Sequence, residues 1–200
     1  MIKPTFRYER ELLAKGFMAI VGVDEVGYGA LAGPVVAGAV ILPLNSRLSL
    51  IRDSKLLSAK QRDGLFEVIK EKSHAWAVGS AEVEEIIELG LRPATFLAMR
   101  RAIEQIPVSD HVLVDALHIP DLDIEQTALV GGDRLVKSIA AASILAKVYR
   151  DRLMEDFRND FPEYGFETHK GYGTKRHLEA IKKFGPCPIH RTNYKIFRLV

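Results

Sequence analysis

A chain of 200 residues, 48% apolar and 27% charged with a formal net charge of +2, is long enough to bury a real core in one domain and is neither a disordered nor a fibrous composition. Its one cysteine, Cys187, excludes an internal disulfide and fits a reducing, cytoplasmic setting. Charged residues from Lys3 to Glu11 exclude a secretion-signal core, and Gly33, Pro34, Gly38 and Pro43 interrupt the apolar run from Ala30 to Leu44, so no membrane span is expected.

In chain order, Ala19–Val23 and Val35–Leu42 are rich in valine and isoleucine and bounded by glycine and proline, which predicts two core strands joined by a loop over 26–34. Ser58 and Gln61 have capping-box spacing and open a helix to about Lys72. Trp76–Ala81 reads as a third strand, followed by helices over Glu82–Leu89 and Pro93–Ile106. Val112–Val114 is a short fourth strand, and Thr127–Val130 a fifth. One long helix is expected from Arg134 to Arg158, with Ala140, Ala141, Ala142 and Ser143 allowing close approach to a sheet. Thr174 caps a last helix that stops at Gly185 and Pro186. Strands mixed with helices, after an opening hairpin, indicate an α/β fold with a mixed sheet.

Charge is unevenly spread. From His169 to Val200 there are eight Lys or Arg against one acid, Glu179, leaving twenty basic and twenty-five acidic residues elsewhere. A basic C-terminal segment beside a carboxylate-rich body suits a metal-dependent enzyme acting on a polyanion, although a solvated basic tail has the same composition.

Three aspartates stand where elements begin or end. Asp24 closes the first strand and is followed by Glu25; Asp115 closes the fourth; Asp133 follows two glycines at the mouth of the long helix. Singly, each acid reads equally well as a helix cap or a loop end. Together in one cleft they would repel unless cations neutralise them, and an oxygen-only set favours Mg²⁺ over zinc. Adjacent strand residues face opposite ways, so Asp24 and Glu25 are expected to share a site only if regular strand structure stops between them.

The segment Val23-Asp24-Glu25-Val26-Gly27-Tyr28-Gly29-Ala30-Leu31-Ala32-Gly33-Pro34 resembles the opening signature of type 2 ribonucleases H. Asp53-Ser54-Lys55-Leu56-Leu57-Ser58 resembles the second block of that family, and Gly132-Asp133 with Ser138–Val148 and Arg150-Asp151 the third. His169-Lys170-Gly171-Tyr172-Gly173-Thr174, with His177, Gly185-Pro186 and Ile189-His190-Arg191, is similar to the C-terminal block of the bacterial form, ribonuclease HII. The match runs in order from about residue 18 to 194, and no added N-terminal domain of the ribonuclease HIII kind is expected, which favours the HII form.

The resemblance implies a ribonuclease H-like domain over residues 1–200: a mixed five-stranded sheet flanked by helices, with a core over about 18–158 and a basic helical C-terminal extension over about 159–200. It implies an endonuclease, expected to act as a monomer, that cuts the RNA of RNA–DNA hybrids and single ribonucleotides within duplex DNA. Asp24, Glu25, Asp115 and Asp133 are the implied ligands of two Mg²⁺ or Mn²⁺ ions, which in two-metal sites stand about 3.5–4 Å apart. Gly27, Tyr28 and Gly29 would read the 2′-hydroxyl, Tyr172 would pack on a sugar, and Ser54, Lys55 and Lys170 would meet phosphates, with Lys147 a further candidate. His190 and Arg191 are expected to be structural, His118 to lie in a surface loop, and Cys187 to be buried. Two positions depart from the family pattern: Tyr28 stands where arginine is usual between the glycines, and Gly131 where lysine often precedes Gly132-Asp133. Two other readings remain: a type 1-like or integrase-like nuclease, and a non-catalytic hybrid-binding module.

Overall fold

A computed structural model describes residues 3–45, 48, 51, 54 and 57–198. Five strands, β1 (Ile20–Val26), β2 (Val35–Ile41), β3 (Ala75–Ala81), β4 (His111–Asp115) and β5 (Glu125–Leu129), form one sheet in the order β3-β2-β1-β4-β5. The β1–β2–β3 part is antiparallel; β4 and β5 run parallel to β1. The mixed five-stranded sheet flanked by helices is the expected fold. Each expected strand is present, with ends shifted by a few residues and β1 extended to Val26.

The helices are α1 (Arg7–Ala14), α2 (Ala59–Lys72), α3 (Val83–Leu89), α4 (Leu91–Glu104), α5 (Gly132–Leu135), α6 (Lys137–Asp160), α7 (Phe166–His169) and α8 (Lys175–Phe184). The Ser58–Gln61 capping box opens α2, and the Thr174 hydroxyl accepts from the His177 N–H to open α8. One sheet face carries α4, with Val21, Val23, Val112 and Val114 packed against Ala98, Met99 and Ala102. The other carries α6, whose alanines lie against β1 and β2. A side chain at Gly22 would begin 2.3 Å from the Ser138 backbone, and one at Gly38 would begin 2.4 Å from the Ala142 carbonyl. These two glycines and the alanines of α6 make one close contact between helix and sheet. Each fully buried aliphatic residue there, such as Ile139, Ile144 or Leu145, contributes about 1.5–3 kcal/mol.

The single long helix expected from Arg134 is instead two. Val136 is extended (φ −115°, ψ 127°) and separates α5 from α6. Its place is set from the N-terminus. The Thr5 N–H donates to the Leu135 carbonyl and the Lys137 N–H to the Thr5 carbonyl. The buried Glu9 Oε1 then accepts from the N–H and the hydroxyl of Ser138, at 3.0 and 2.9 Å, capping α6 from another helix.

The C-terminal extension is held by three neutral imidazoles. The Cys187 N–H donates to His190 Nδ1 at 2.9 Å, which leaves the proton on Nε2. His190 Nε2–H donates to His177 Nε2 at 3.0 Å, and His177 Nδ1–H donates to the Tyr172 carbonyl at 3.0 Å. His169 stacks on His177 and accepts from the Gly171 N–H while donating to the Tyr164 carbonyl. Burial pulls His177 and His190 each down to about 4. The unfolded imidazoles titrate near the ordinary 6.5, so folding releases protons, and the stability present above pH 6.5 is lost as the pH falls toward 4. The expected loss is about 2 kcal/mol per imidazole by pH 5. Urea midpoints at pH 7 and 5 measure it. The midpoint should fall, and fall less in His190→Asn; equal midpoints at the two pH values in the parent would contradict the neutral relay.

Candidate active site

The last parallel pair between β1 and β4 is Val23 with Val114, so Asp24 and Asp115 leave neighbouring strands at the same end of the sheet. Both point to the α6 side, since Gly22 and Leu113, two residues earlier, face α6. Glu25 follows on the opposite side. The condition set from sequence, a break between Asp24 and Glu25, is not met: β1 continues, with Glu25 paired to Ala37 and Val26 to Val36. The two acids therefore leave β1 on opposite faces of the sheet, although the charge of Glu25 still acts on Asp24. The Glu25 N–H donates to Asp24 Oδ1 at 2.8 Å. Asp133 arrives from α5, tied to β4 by a 2.7 Å hydrogen bond from the Gly132 N–H to Asp115 Oδ1. Asp133 is buried, and Asp24 is only 5% exposed.

Burial first, then the charges of Glu25 and Asp115, push the Asp24 carboxyl well above the usual carboxylate range. The Ser143 hydroxyl opposes this by hydrogen bonding to it. Ser143 in turn stands 3.0 Å from the hydroxyl of the buried Ser54, which is thereby placed as donor. Among the described residues, no three Asp, Glu, His or Cys side chains form a cation cage by themselves. Oxygen-only donors at a sheet end fit Mg²⁺ or Mn²⁺, which bind through one or two carboxylates and complete their shells with water and substrate phosphate.

Above the acids lies the loop from Gly27 to Pro34, and two fully buried arginines hold it from beneath. Arg150 donates to the carbonyls of Pro34, Ala32 and Lys170, each at 2.9 Å. Arg191 donates to the carbonyls of Gly33 at 2.9 Å and Tyr28 at 3.2 Å, and to the Tyr194 hydroxyl at 3.1 Å. Desolvation lowers Arg150 to about 10 and lowers Arg191 as well, so both remain cations at neutral pH. Gly27 has φ +90°, and a side chain there would begin 2.3 Å from Arg150 Nε. The loop also takes a backbone bond from the Leu31 N–H to the Gly171 carbonyl. An added Cβ at Gly29 meets nothing within 4 Å, and Tyr28 is 41% exposed, so this part of the loop faces open space.

Tyr172 stands at the edge of the same loop, bridged to Ala30, with Arg150 5.5 Å and Lys147 Nζ 5.8 Å from its ring centre. Lys147 also pairs with Asp151 at 2.7 Å. Lys170 is anchored, its ammonium 2.7 Å from Glu155 and in contact with the Glu167 carbonyl. Ser54, expected at a phosphate, lies buried behind Asp24, while Lys55 falls outside the described residues. His118 is exposed in the loop after β4, and Cys187 is half-buried, its thiol pushed up to about 11 by burial. Arg150 was present in the third motif without a role. Its signal was an arginine one helical turn from an alanine-rich face, where no solvent is available.

Comparison with known proteins gives a consistent picture. A family model described as Ribonuclease HII matches residues 21–197. The chain is 48% identical over 188 residues to Ribonuclease HII of Caldanaerobacter subterraneus subsp. tengcongensis, covering 94% of this chain and 78% of that protein. Among solved structures it is similar to the ribonuclease H2 from Pyrococcus horikoshii OT3, with a TM-score of 0.75 and 26% identity over 91% of this chain and 96% of the other. The fold is also that of Bst-RNase HIII in complex with Mn²⁺, with a TM-score of 0.65 and 18% identity over 84% of this chain and 63% of that one.

Removing Arg150 leaves three carbonyls without their donor. Arg150→Met should cost at least about 3 kcal/mol, at roughly 1–3 kcal/mol for each buried group left unsatisfied. Arg150→Lys should recover less than half of that, because one ammonium cannot span three acceptors fixed to a fork. Urea unfolding of the three proteins decides; a loss below about 1 kcal/mol in Arg150→Met would show that water replaces the guanidinium.

Proposed function

Because the chain belongs to the ribonuclease HII family and is a ribonuclease H hydrolase, we propose that it cleaves the RNA strand of RNA–DNA hybrids and also cuts on the 5′ side of a single ribonucleotide in duplex DNA. The products would carry 5′-phosphate and 3′-hydroxyl ends. The observation that carries the reading is the meeting of Asp24 and Asp115 at one end of adjacent strands, with Asp133 bonded in through Gly132 and the arginine-held loop above.

Asp24, Glu25, Asp115 and Asp133 would hold two divalent cations, Mg²⁺ or Mn²⁺. Such ions supply an activated water and neutralise charge on the leaving 3′-oxygen. The rest of the work belongs to the chain. Ser54 and Ser143 hold Asp24 in place. Backbone groups of Gly27, Tyr28 and Gly29 would approach the 2′-hydroxyl, the group that separates RNA from DNA. The open space at Gly29 supports that role. Tyr172, its main chain bridged to Ala30 and its ring backed by Arg150 and Lys147, would pack on the neighbouring sugar. Lys170, its side chain 15% exposed and paired with Glu155, would contact phosphate only by giving up that pair.

A duplex with one embedded ribonucleotide separates this reading from a type 1-like nuclease. One cut on its 5′ side is expected; resistance of that duplex, with cleavage only where several ribonucleotides run together, would reject the proposal. Asp24→Asn should abolish Mg²⁺-dependent cleavage, a fall of at least about 10³-fold, while hybrid binding persists. Full activity in Asp24→Asn would remove the proposed centre. Tyr28→Arg should retain discrimination of the 2′-hydroxyl and bind more tightly at moderate salt with a steeper salt dependence. Collapse of discrimination would show that the tyrosine side chain reads the sugar itself.

A further inference from the structure

The cations around this site are mostly committed. Arg150 and Arg191 are buried on loop carbonyls, Lys170 pairs with Glu155 and Lys147 with Asp151. Arg134 differs. Its side chain is 64% exposed, and its Nε lies 3.9 Å from Asp133 Oδ1, close enough for attraction but too long for a hydrogen bond. Its guanidinium lies over the bare Cα of Gly131. A Cβ at Gly131 would begin 2.8 Å from one terminal nitrogen, 3.4 Å from Nε and 3.5 Å from Cζ. Gly131 is also left-handed, with φ +71°, a conformation that side chains rarely adopt. Gly131 and Arg134 are thus one device: the glycine both makes the turn and vacates the volume in which the guanidinium rests. That turn is the one whose next residue, Gly132, bonds Asp115. It carries an exposed, planar cation on the rim of the carboxylates.

We propose that Arg134 binds a phosphate of the nucleic-acid strand at this site, and that Gly131 is required to place it. The inference rests on the four acids being the reaction centre. A guanidinium presents paired N–H donors that match two phosphate oxygens. Its own side chain is exposed and its 3.9 Å contact with the buried Asp133 is too long for a hydrogen bond, so little holds it there once the charge of Asp133 is taken up in the loaded site. The arginine is then free to turn to the incoming phosphate. Its role is substrate capture and alignment, not metal retention.

The test uses the full chain, a duplex with one ribonucleotide, Mg²⁺, and kcat and KM measured across a NaCl series. Arg134→Ala should raise KM about tenfold and reduce the salt slope by about one, with kcat changed less than about twofold. The half-saturating Mg²⁺ concentration should move by less than about twofold, since the ligands remain. Arg134→Lys should restore the salt slope and only part of the KM, because it keeps the charge without the fork. Gly131→Ala should raise KM similarly, and adding it to Arg134→Ala should raise KM no further. Unchanged KM and salt slope in Arg134→Ala overturn the proposal. So does an effect confined to the Mg²⁺ requirement, which would make Arg134 a partner of Asp133 alone. Asp24→Asn is run alongside: if it is inactive while Arg134→Ala equals the parent, only the role of Arg134 fails; if it is active, the reaction centre itself is misassigned.

Discussion

The site depends first on two buried guanidinium groups that donate to carbonyl oxygens in place of carboxylates. Arg150 and Arg191 lie out of reach of solvent beneath the loop from Gly27 to Pro34, and between them take the carbonyls of Tyr28, Ala32, Gly33, Pro34 and Lys170. Burying a cation costs several kcal/mol unless its donors are met. Here every guanidinium nitrogen but Arg191 Nη2 meets a main-chain carbonyl, and the arrangement works in both directions. The loop has no regular secondary structure to satisfy those carbonyls, and among the described residues neither arginine forms an ion pair with an acid, Asp151 acting on Arg150 only through its charge. Neither is stable without the other. Arginine suits the task because its donors lie in one rigid plane, so peptide orientations are fixed along with positions. Gly27, lacking a side chain, is what lets Arg150 reach the loop.

This pairing links the two halves of the molecule. Arg150 belongs to α6, which packs Ser138 on Gly22 and Ala142 on Gly38 of the sheet; Arg191 belongs to the C-terminal segment, placed by the His190–His177 relay. The loop is therefore held in register with the strand ends that carry Asp24 and Asp115. Tyr172 enters the same assembly through its carbonyl, which accepts from His177, and its backbone bridge to Ala30. These two contacts fix the main chain at Tyr172, and the cations of Arg150 and Lys147 lie near its ring.

What could be read along the chain was what local rules determine. Apolar runs ending in an acid located Asp24 and Asp115, and the glycine pair located Asp133, because a strand or helix ends for reasons written within a few residues. The mixed sheet and its outer helices followed from the same periodicities. The break at Val136 did not, since an extended residue there depends on Thr5 and on Glu9, more than 120 residues earlier in the chain. Glu25 shows the opposite kind of miss. Alternation puts Asp24 and Glu25 on opposite faces unless β1 breaks, and pairing with β2 carries the strand on to Val26, so no break occurs. Ser54, read as a phosphate contact, is buried and hydrogen-bonded to Ser143, a partner 89 residues away on α6 that no local rule points to.

The departure at Gly131 illustrates how a change can be neutral for a site without being neutral locally. Replacing a long basic side chain by glycine removes a charge, yet it opens a left-handed position and a vacant volume three residues before Arg134. One turn of α5 brings that arginine back over the opening. Charge at the rim is then supplied from a different Cα, with a planar head in place of a point charge. The acids beneath remain as they were, because their positions are set by strand ends and by the Gly132–Asp115 bond, not by the residue at 131. The acids are thus positioned by the sheet and by α5, and the exposed cation beside them by the turn at Gly131, through separate parts of the fold.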